Sequence, residues 1–191
     1  MKKHSKNYFL TYLCSMTIED KLREAIRDVE NFPKPGILFK DISPIMLNPI
    51  LSGDVLDHLV DLYADKKLDA IAGIESRGFL FGYPLAIRLG LPFVLIRKAG
   101  KLPYDKISYA YDLEYGNAVI EMHSDSLKPG DRVLIHDDLL ATGGSASAAA
   151  SLIAKCGGEV AGFSFLVCLS FLNGREKLEK HSEIITNLIT Y

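Results

Sequence analysis

What this sequence has little of narrows its class before any motif is read. No apolar run approaches the ~20 residues needed to span a bilayer, so no membrane partner is expected. Positive charge is not in excess: 22 Lys and Arg stand against 24 Asp and Glu, a formal net charge of −2. A domain held to nucleic acid by bulk electrostatics is usually basic, so no nucleic-acid partner is expected either. Cysteine is scarce. Cys14, Cys156 and Cys168 show no CxxC spacing, which excludes a disulfide framework and points to reduced thiols in a cytoplasmic protein. No His, Cys and Asp cluster has zinc spacing, so no metal held tightly by protein side chains is expected. Internal repeats, low-complexity tracts and linkers are also missing. With 191 residues, 48% of them apolar and 24% charged, the chain has the size and composition of one globular α/β domain. The expected organisation is a single domain over residues 16–191 behind an extension, residues 1–15.

That extension is basic at Met1-Lys2-Lys3-His4 and mildly apolar from Tyr8 to Cys14. A secretory signal has a longer apolar core and a small-residue cleavage site, and this stretch carries Thr11 and two tyrosines instead. The expectation is a disordered tail, or an upstream start with Met16 as the alternative first residue. Thr17 then reads as a helix cap with Asp20 three residues on. Ile18, Leu22, Ile26 and Val29 follow at helical spacing, and Phe32-Pro33-Lys34-Pro35-Gly36 stops the helix. A second helix is predicted from Ser52 to about Lys66.

From residue 68 strands and helices alternate. Leu68 to Gly73 reads as a buried strand, Ile74 to Gly78 as a loop leading to a helix that ends at Leu89, and Phe93 to Arg97 as a strand. Lys98 to Ser108 reads as a loop of about eleven residues, a length that is often functional. Tyr109–Tyr115 and Ala118–Met122 read as a hairpin about Gly116-Asn117. Arg132–His136 is a predicted strand, Ser145–Lys155 a helix closed by Gly157-Gly158, and Val160–Leu169 a strand. The alternation predicts a mostly parallel twisted sheet with helices on both faces.

One segment carries most of the chemistry: Val133-Leu134-Ile135-His136-Asp137-Asp138-Leu139-Leu140-Ala141-Thr142-Gly143-Gly144-Ser145. An apolar strand ends in two carboxylates, and a short loop of small and hydroxyl residues opens a helix. Ligands of open α/β sheets lie beyond the carboxyl ends of strands. Glycines let backbone N–H groups turn toward an anion, and a helix N-terminus adds partial positive charge. Thr142 and Ser145 add hydroxyl donors. The loop suits a phosphomonoester, and Asp137 with Asp138 suits a sugar diol. The plain alternative is a tight turn with two solvated acids, but adjacent acids at the end of an apolar strand are costly without partners. The segment is neither a Walker loop nor a G-x-G-x-x-G fingerprint. His136 points opposite to Asp137 in a strand and so reads as packing or support.

This segment resembles the phosphoribosyl-pyrophosphate signature of type I phosphoribosyltransferases, with Ser145 where many relatives carry Thr. The resemblance implies that Asp137 and Asp138 hold ribose hydroxyls and that Ala141, Thr142, Gly143, Gly144 and Ser145 cradle a 5-phosphate. Other segments resemble the adenine branch of that family. Phe32-Pro33-Lys34-Pro35-Gly36-Ile37-Leu38-Phe39-Lys40-Asp41-Ile42-Ser43-Pro44 is similar to its N-terminal hood, and Gly73-Ile74-Glu75-Ser76-Arg77-Gly78-Phe79 to its pyrophosphate loop. Leu95 to Pro103 is similar to the entry of its flexible loop, Tyr109 to Gly116 to that loop's return, and Asn173 to Leu178 to a C-terminal turn. The likeness covers roughly residues 17–191. It implies a small hood and a flexible hairpin added to the sheet, a homodimer, and a cis peptide between Glu75 and Ser76.

The implied reaction is transfer of a phosphoribosyl group from phosphoribosyl pyrophosphate (PRPP) to adenine, giving AMP and pyrophosphate. Glu75, Ser76, Arg77, Arg97, Lys98 and Lys101 are the implied pyrophosphate residues. The four cations among them fit independently, because a highly charged leaving group calls for Arg forks and Lys point charges; for any one of them, solvated surface is the plain alternative. Mg2+ is expected to arrive with PRPP. Phe39 suits stacking on a purine face, though a core place beneath the Pro-rich loop would also explain it. The resemblance adds backbone groups of Leu38 and Lys40 for the base edge and Leu169 for the other face. Adenine must lose a proton, and Glu114 is the candidate acceptor; Tyr115 would bind the leaving group or seal the loop. The expected catalytic set is Glu114, Tyr115 and Arg77. Cys168 stands where relatives often carry Glu, which puts a polar role there in doubt. The rival readings are transfer to a 6-oxopurine or orotate, and a non-catalytic regulator sensing PRPP. The Phe-Pro-x-Pro-Gly hood disfavours the first, and the net charge of −2 disfavours the second.

Overall fold

The computed structural model describes residues 16–112 and 117–191. They form two compact units that divide between His58 and Leu59.

In the first unit, Thr17 caps helix α1 (Ile18–Ala25) in a full capping box with Asp20, which satisfies two otherwise orphaned N–H donors. Lys21 on this helix pairs with Asp54 at 2.7 Å. The helix ends sooner than its apolar spacing predicts. Ile26 already has extended backbone, and Arg27–Glu30 form strand β1, antiparallel to β2 (Leu38–Asp41), with Val29 opposite Phe39. Val29 therefore belongs to a strand. Its i+3 position after Ile26 imitates a helical repeat, but the pairing with β2 is a tertiary choice that local spacing cannot see. Asn31, with φ of 59°, accepts the Gly36 amide through its side chain at 2.9 Å and closes the intervening turn, where Phe32–Pro33 is cis. A short helix α2 (Ser43–Met46) and the start of α3 (Pro49–Tyr63) complete this unit. α3 begins and ends three residues earlier than predicted.

The second unit is built on β3 (Ala70–Ile74), α4 (Gly78–Leu89), β4 (Phe93–Lys98), β5 (Lys106–Asp112), β6 (Asn117–His123), β7 (Arg132–Leu140), α5 (Gly144–Lys155), β8 (Glu159–Cys168), a 3-10 turn at Ser170–Leu172, α6 (Gly174–Glu179) and β9 (Ile185–Thr190). Among the described residues, seven strands form one sheet in the order β5-β6-β4-β3-β7-β8-β9. β4, β3, β7, β8 and β9 are parallel, while β6 joins β4 antiparallel and carries β5 as a hairpin partner. The mostly parallel α/β sheet expected from the alternation is therefore present.

Several boundaries are corrected. β5 begins at Lys106, so the loop after β4 spans only 99–105. β7 does not stop at His136 but runs on to Leu140, because Asp137, Leu139 and Leu140 pair in register with Phe165, Val167 and Cys168 of β8. The acid pair lies inside a ladder, not beyond it. β9 has no counterpart among the elements that the sequence pattern predicts.

Side chains alternate along β7. Val133 and Ile135 enter a cluster with Ala149, Ile153 and Phe163. His136 lies instead beside Gly82 of α4, within 3.4 Å of where a Cβ on that glycine would sit. α5 and α4 therefore cover opposite faces. The alanines of α5 let it lie close to the sheet, and Phe163 and Phe165 fill the core beside it. Burying such a ring contributes about 1.5–3 kcal/mol.

Candidate active site

The site forms where β3 and β7 end. Beyond β3 the chain passes the cis Glu75–Ser76 peptide, as the resemblance implied, and reaches Arg77 at the start of α4. The Glu75 carboxylate accepts hydrogen bonds from Arg97 Nε at 3.1 Å and from the Lys98 amide at 3.0 Å. Arg97 also donates to the Lys101 carbonyl at 2.9 Å. Glu75 thus fixes the Arg97 guanidinium and the Lys98 backbone, and Arg97 in turn holds the Lys101 backbone. Further along, the buried carboxylate of Glu121 on β6 accepts the Gly100 amide at 3.0 Å, which fixes the same loop from below.

Arg77 crosses to β7, where its Nε lies 3.0 Å from Asp138 Oδ2. Asp138 is 2% exposed. That oxygen has an ion-pair neighbour but no aligned hydrogen bond, so a hydroxyl donor would complete it. Burial raises the Asp138 carboxyl above its ordinary range, and Arg77 opposes the rise. Asp137 is raised further. Burial is the larger cause and the Asp138 charge the second; its Oδ1 accepts the Asp138 amide at 2.9 Å. Two carboxylates side by side in a low dielectric make the site acid-rich and electrostatically costly. Beneath them His136 is fully buried and bonded through Nδ1 to Ser164 Oγ at 3.1 Å. Burial lowers it to about 4, so it is a neutral support.

The loop Ala141–Ser145 turns the chain from β7 into α5. Gly143 takes the left-handed conformation, φ 74°, and caps the helix with no side chain in its way, which leaves the first amides pointing outward. A Cβ on Gly143 would lie 2.5 Å from the Gly174 carbonyl. A Cβ on Gly174 would in turn collide with the Ala141 carbonyl. The turn at Asn173-Gly174, offered by the sequence only as a resemblance, is therefore the wall behind this loop. Ser145 Oγ lies 3.0 Å from the Tyr111 hydroxyl on β5. Nothing in the sequence marks Tyr111 out, since its partner is 34 residues away. Leu169 is drawn to the end of β7 by its amide, which donates to the Leu140 carbonyl at 2.9 Å. Cys168 beside it is a buried thiol that burial pushes up.

In the first unit, Leu38, Phe39 and Lys40 follow one another along β2. The Phe39 ring meets Phe32 edge-on at 5.1 Å, and Lys40 Nζ pairs with Asp28 at 2.6 Å. Glu114 and Tyr115 lie outside the described residues. Among those described, no helix is long and apolar enough to cross a membrane.

The chain matches the phosphoribosyl transferase domain family over residues 50–190. It is 47% identical over 174 residues to an adenine phosphoribosyltransferase of Cytophaga hutchinsonii, covering 91% of this chain and 96% of the relative. The crystal structure of adenine phosphoribosyltransferase from Thermoanaerobacter pseudethanolicus superposes with a TM-score of 0.87 at 46% identity, over 92% of this chain and 100% of the other. The enzyme from Saccharomyces cerevisiae, solved with adenine and an imino-altritol bisphosphate, gives 0.83 at 40% identity, over 90% of this chain and 98% of the other. Strand order, acid pair, glycine-turned loop and these likenesses agree: the chain belongs to the phosphoribosyltransferase family, in its adenine phosphoribosyltransferase branch.

Proposed function

We propose that this chain transfers the 5-phosphoribosyl group of PRPP to adenine, yielding AMP and pyrophosphate in purine salvage, as its relatives' names indicate. The observation that carries the site assignment is the meeting of Arg77 with Asp138 at the mouth of β7, next to the Ala141–Ser145 loop. Asp137 and Asp138 accept the ribose hydroxyls, and the outward amides and hydroxyls of residues 141–145 bind the 5-phosphate. The Glu75–Ser76–Arg77 turn, Arg97, Lys98 and Lys101 receive the pyrophosphate, with Glu75 acting by aiming the Arg97 fork and the Lys98 amide. Leu38, Phe39, Lys40 and Leu169 are assigned to the adenine.

In the reaction, N9 of adenine bonds to the anomeric carbon while the carbon–oxygen bond to pyrophosphate breaks, and the electron pair leaves on the pyrophosphate. Fixed positive charge from Arg77, Arg97 and the lysines answers the growing negative charge without reorganising. The N9 proton passes to Glu114, with Tyr115 beside it. Mg2+ would come with the substrate and shield the pyrophosphate charge; the hard oxygen donors of the acid pair suit such an ion. A homodimer is supported by Leu80, Tyr83 and Ile87, which share one face of α4 and are 44%, 55% and 61% exposed. Free Cys156 and Cys168 favour the cytoplasm.

The test is purified protein with Mg2+ and PRPP, offered adenine, hypoxanthine, guanine and orotate separately. AMP from adenine alone is expected. Product from a 6-oxopurine instead would keep the phosphate-loop assignment and overturn the base assignment.

A further inference from the structure

Strand β5 runs beside α5, the helix that opens from the 5-phosphate loop. Lys155 near the helix end reaches the Ser108 carbonyl at 3.4 Å, and Tyr111 at the other end of the strand reaches Ser145 Oγ at 3.0 Å. The Tyr111 ring also lies over Gly144, 3.7 Å from where a Cβ there would sit. One tyrosine therefore both covers the backbone of the loop and holds its last hydroxyl. Either oxygen of this pair can donate. If Tyr111 donates, Ser145 Oγ is left with its own proton to give outward, and the two hydroxyls form a relay ending on a phosphate oxygen. Chains of this kind polarise one another.

We infer that Tyr111 is a positioning residue for PRPP: it aims the Ser145 hydroxyl at the 5-phosphate. The inference rests on the assignment of Ser145 to that phosphate. The same hydrogen bond anchors β5 onto the phosphate loop.

The experiment is a double-mutant cycle in the full chain, with Tyr111→Phe, Ser145→Ala and the pair, reading KM for PRPP, KM for adenine and kcat. Tyr111→Phe keeps the ring over Gly144 and removes only the hydroxyl, and Ser145→Thr serves as the hydroxyl-retaining control. Tyr111→Phe is expected to raise KM for PRPP about fivefold, the scale of one lost neutral hydrogen bond, with KM for adenine unchanged. In the Ser145→Ala background it is expected to add nothing, and Ser145→Thr is expected to restore low KM. Additive effects, or an unchanged KM for PRPP in Tyr111→Phe when Ser145→Ala raises it, would overturn the role of Tyr111 alone. An unchanged KM for PRPP in Ser145→Ala would overturn the phosphate assignment of Ser145 and this inference with it.

Discussion

Asp137 and Asp138, the acids proposed to hold the ribose, show how a site can work against the fold that carries it. Both carboxyls are raised by burial, so the folded chain holds their protons more tightly than the unfolded chain does. Their favourable contribution is present below the ordinary carboxylate value of 3.8 and is lost as pH rises through the raised values. At neutral pH the charged pair is a cost. Asp137→Asn is therefore expected to lose PRPP binding yet raise the melting temperature of the ligand-free protein at pH 7.5 by about 2–4 °C, as 1 kcal/mol does in a chain of this length. The gain should shrink toward zero as the melts are repeated down to pH 4. A variant less stable than the wild type at pH 7.5 would mean that Asp137 is a structural acid, not a functional one.

The β7–α5 loop owes its shape to its neighbours as much as to its own glycines. Gly174 offers the cleanest test, because a methyl group there meets the Ala141 carbonyl. Gly174→Ala is expected to push the loop outward, costing about 1–3 kcal/mol of stability in denaturant melts and raising KM for PRPP at least tenfold, while a larger change in KM for adenine would place the damage elsewhere. This wall also marks the limit of what local sequence conveys. The acid pair, the glycines and the hydroxyls stand out in the sequence because the proposed chemistry would need those residue types within thirteen consecutive positions. The apolar pattern of β7 stops short of the strand's end, since an ionisable residue breaks such a pattern even where a neighbouring ladder keeps the backbone extended. Val29 misleads for the converse reason: its spacing fits a helix, and only its pairing with Phe39 makes it a strand residue. Tyr111 and the Gly174 wall were illegible because their contacts span tens of residues.

For the whole molecule, α4 presents Leu80, Tyr83 and Ile87 to solvent along one face. Three large apolar side chains in a single stripe exceed the scattered exposure that needs no explanation. Ile87→Lys is expected to convert a species of twice the chain mass into a monomer in sedimentation experiments at micromolar concentration. An unchanged mass for both Ile87→Lys and a Tyr83→Ser, Ile87→Lys pair would place the interface on another surface.

The adjacency of β3 and β7 has a kinetic side. Ala70 pairs with Val133, so a loop of roughly 60 residues must close before either strand gains its neighbour, at an entropic cost of roughly 3–4 kcal/mol. Arg77 and Asp138 meet only across that closed loop. No partly folded chain held by local contacts alone can bring Arg77 to Asp138. Capture of a ribose phosphate during refolding would therefore time the completion of the central sheet, and non-local pairing of this kind places that step late.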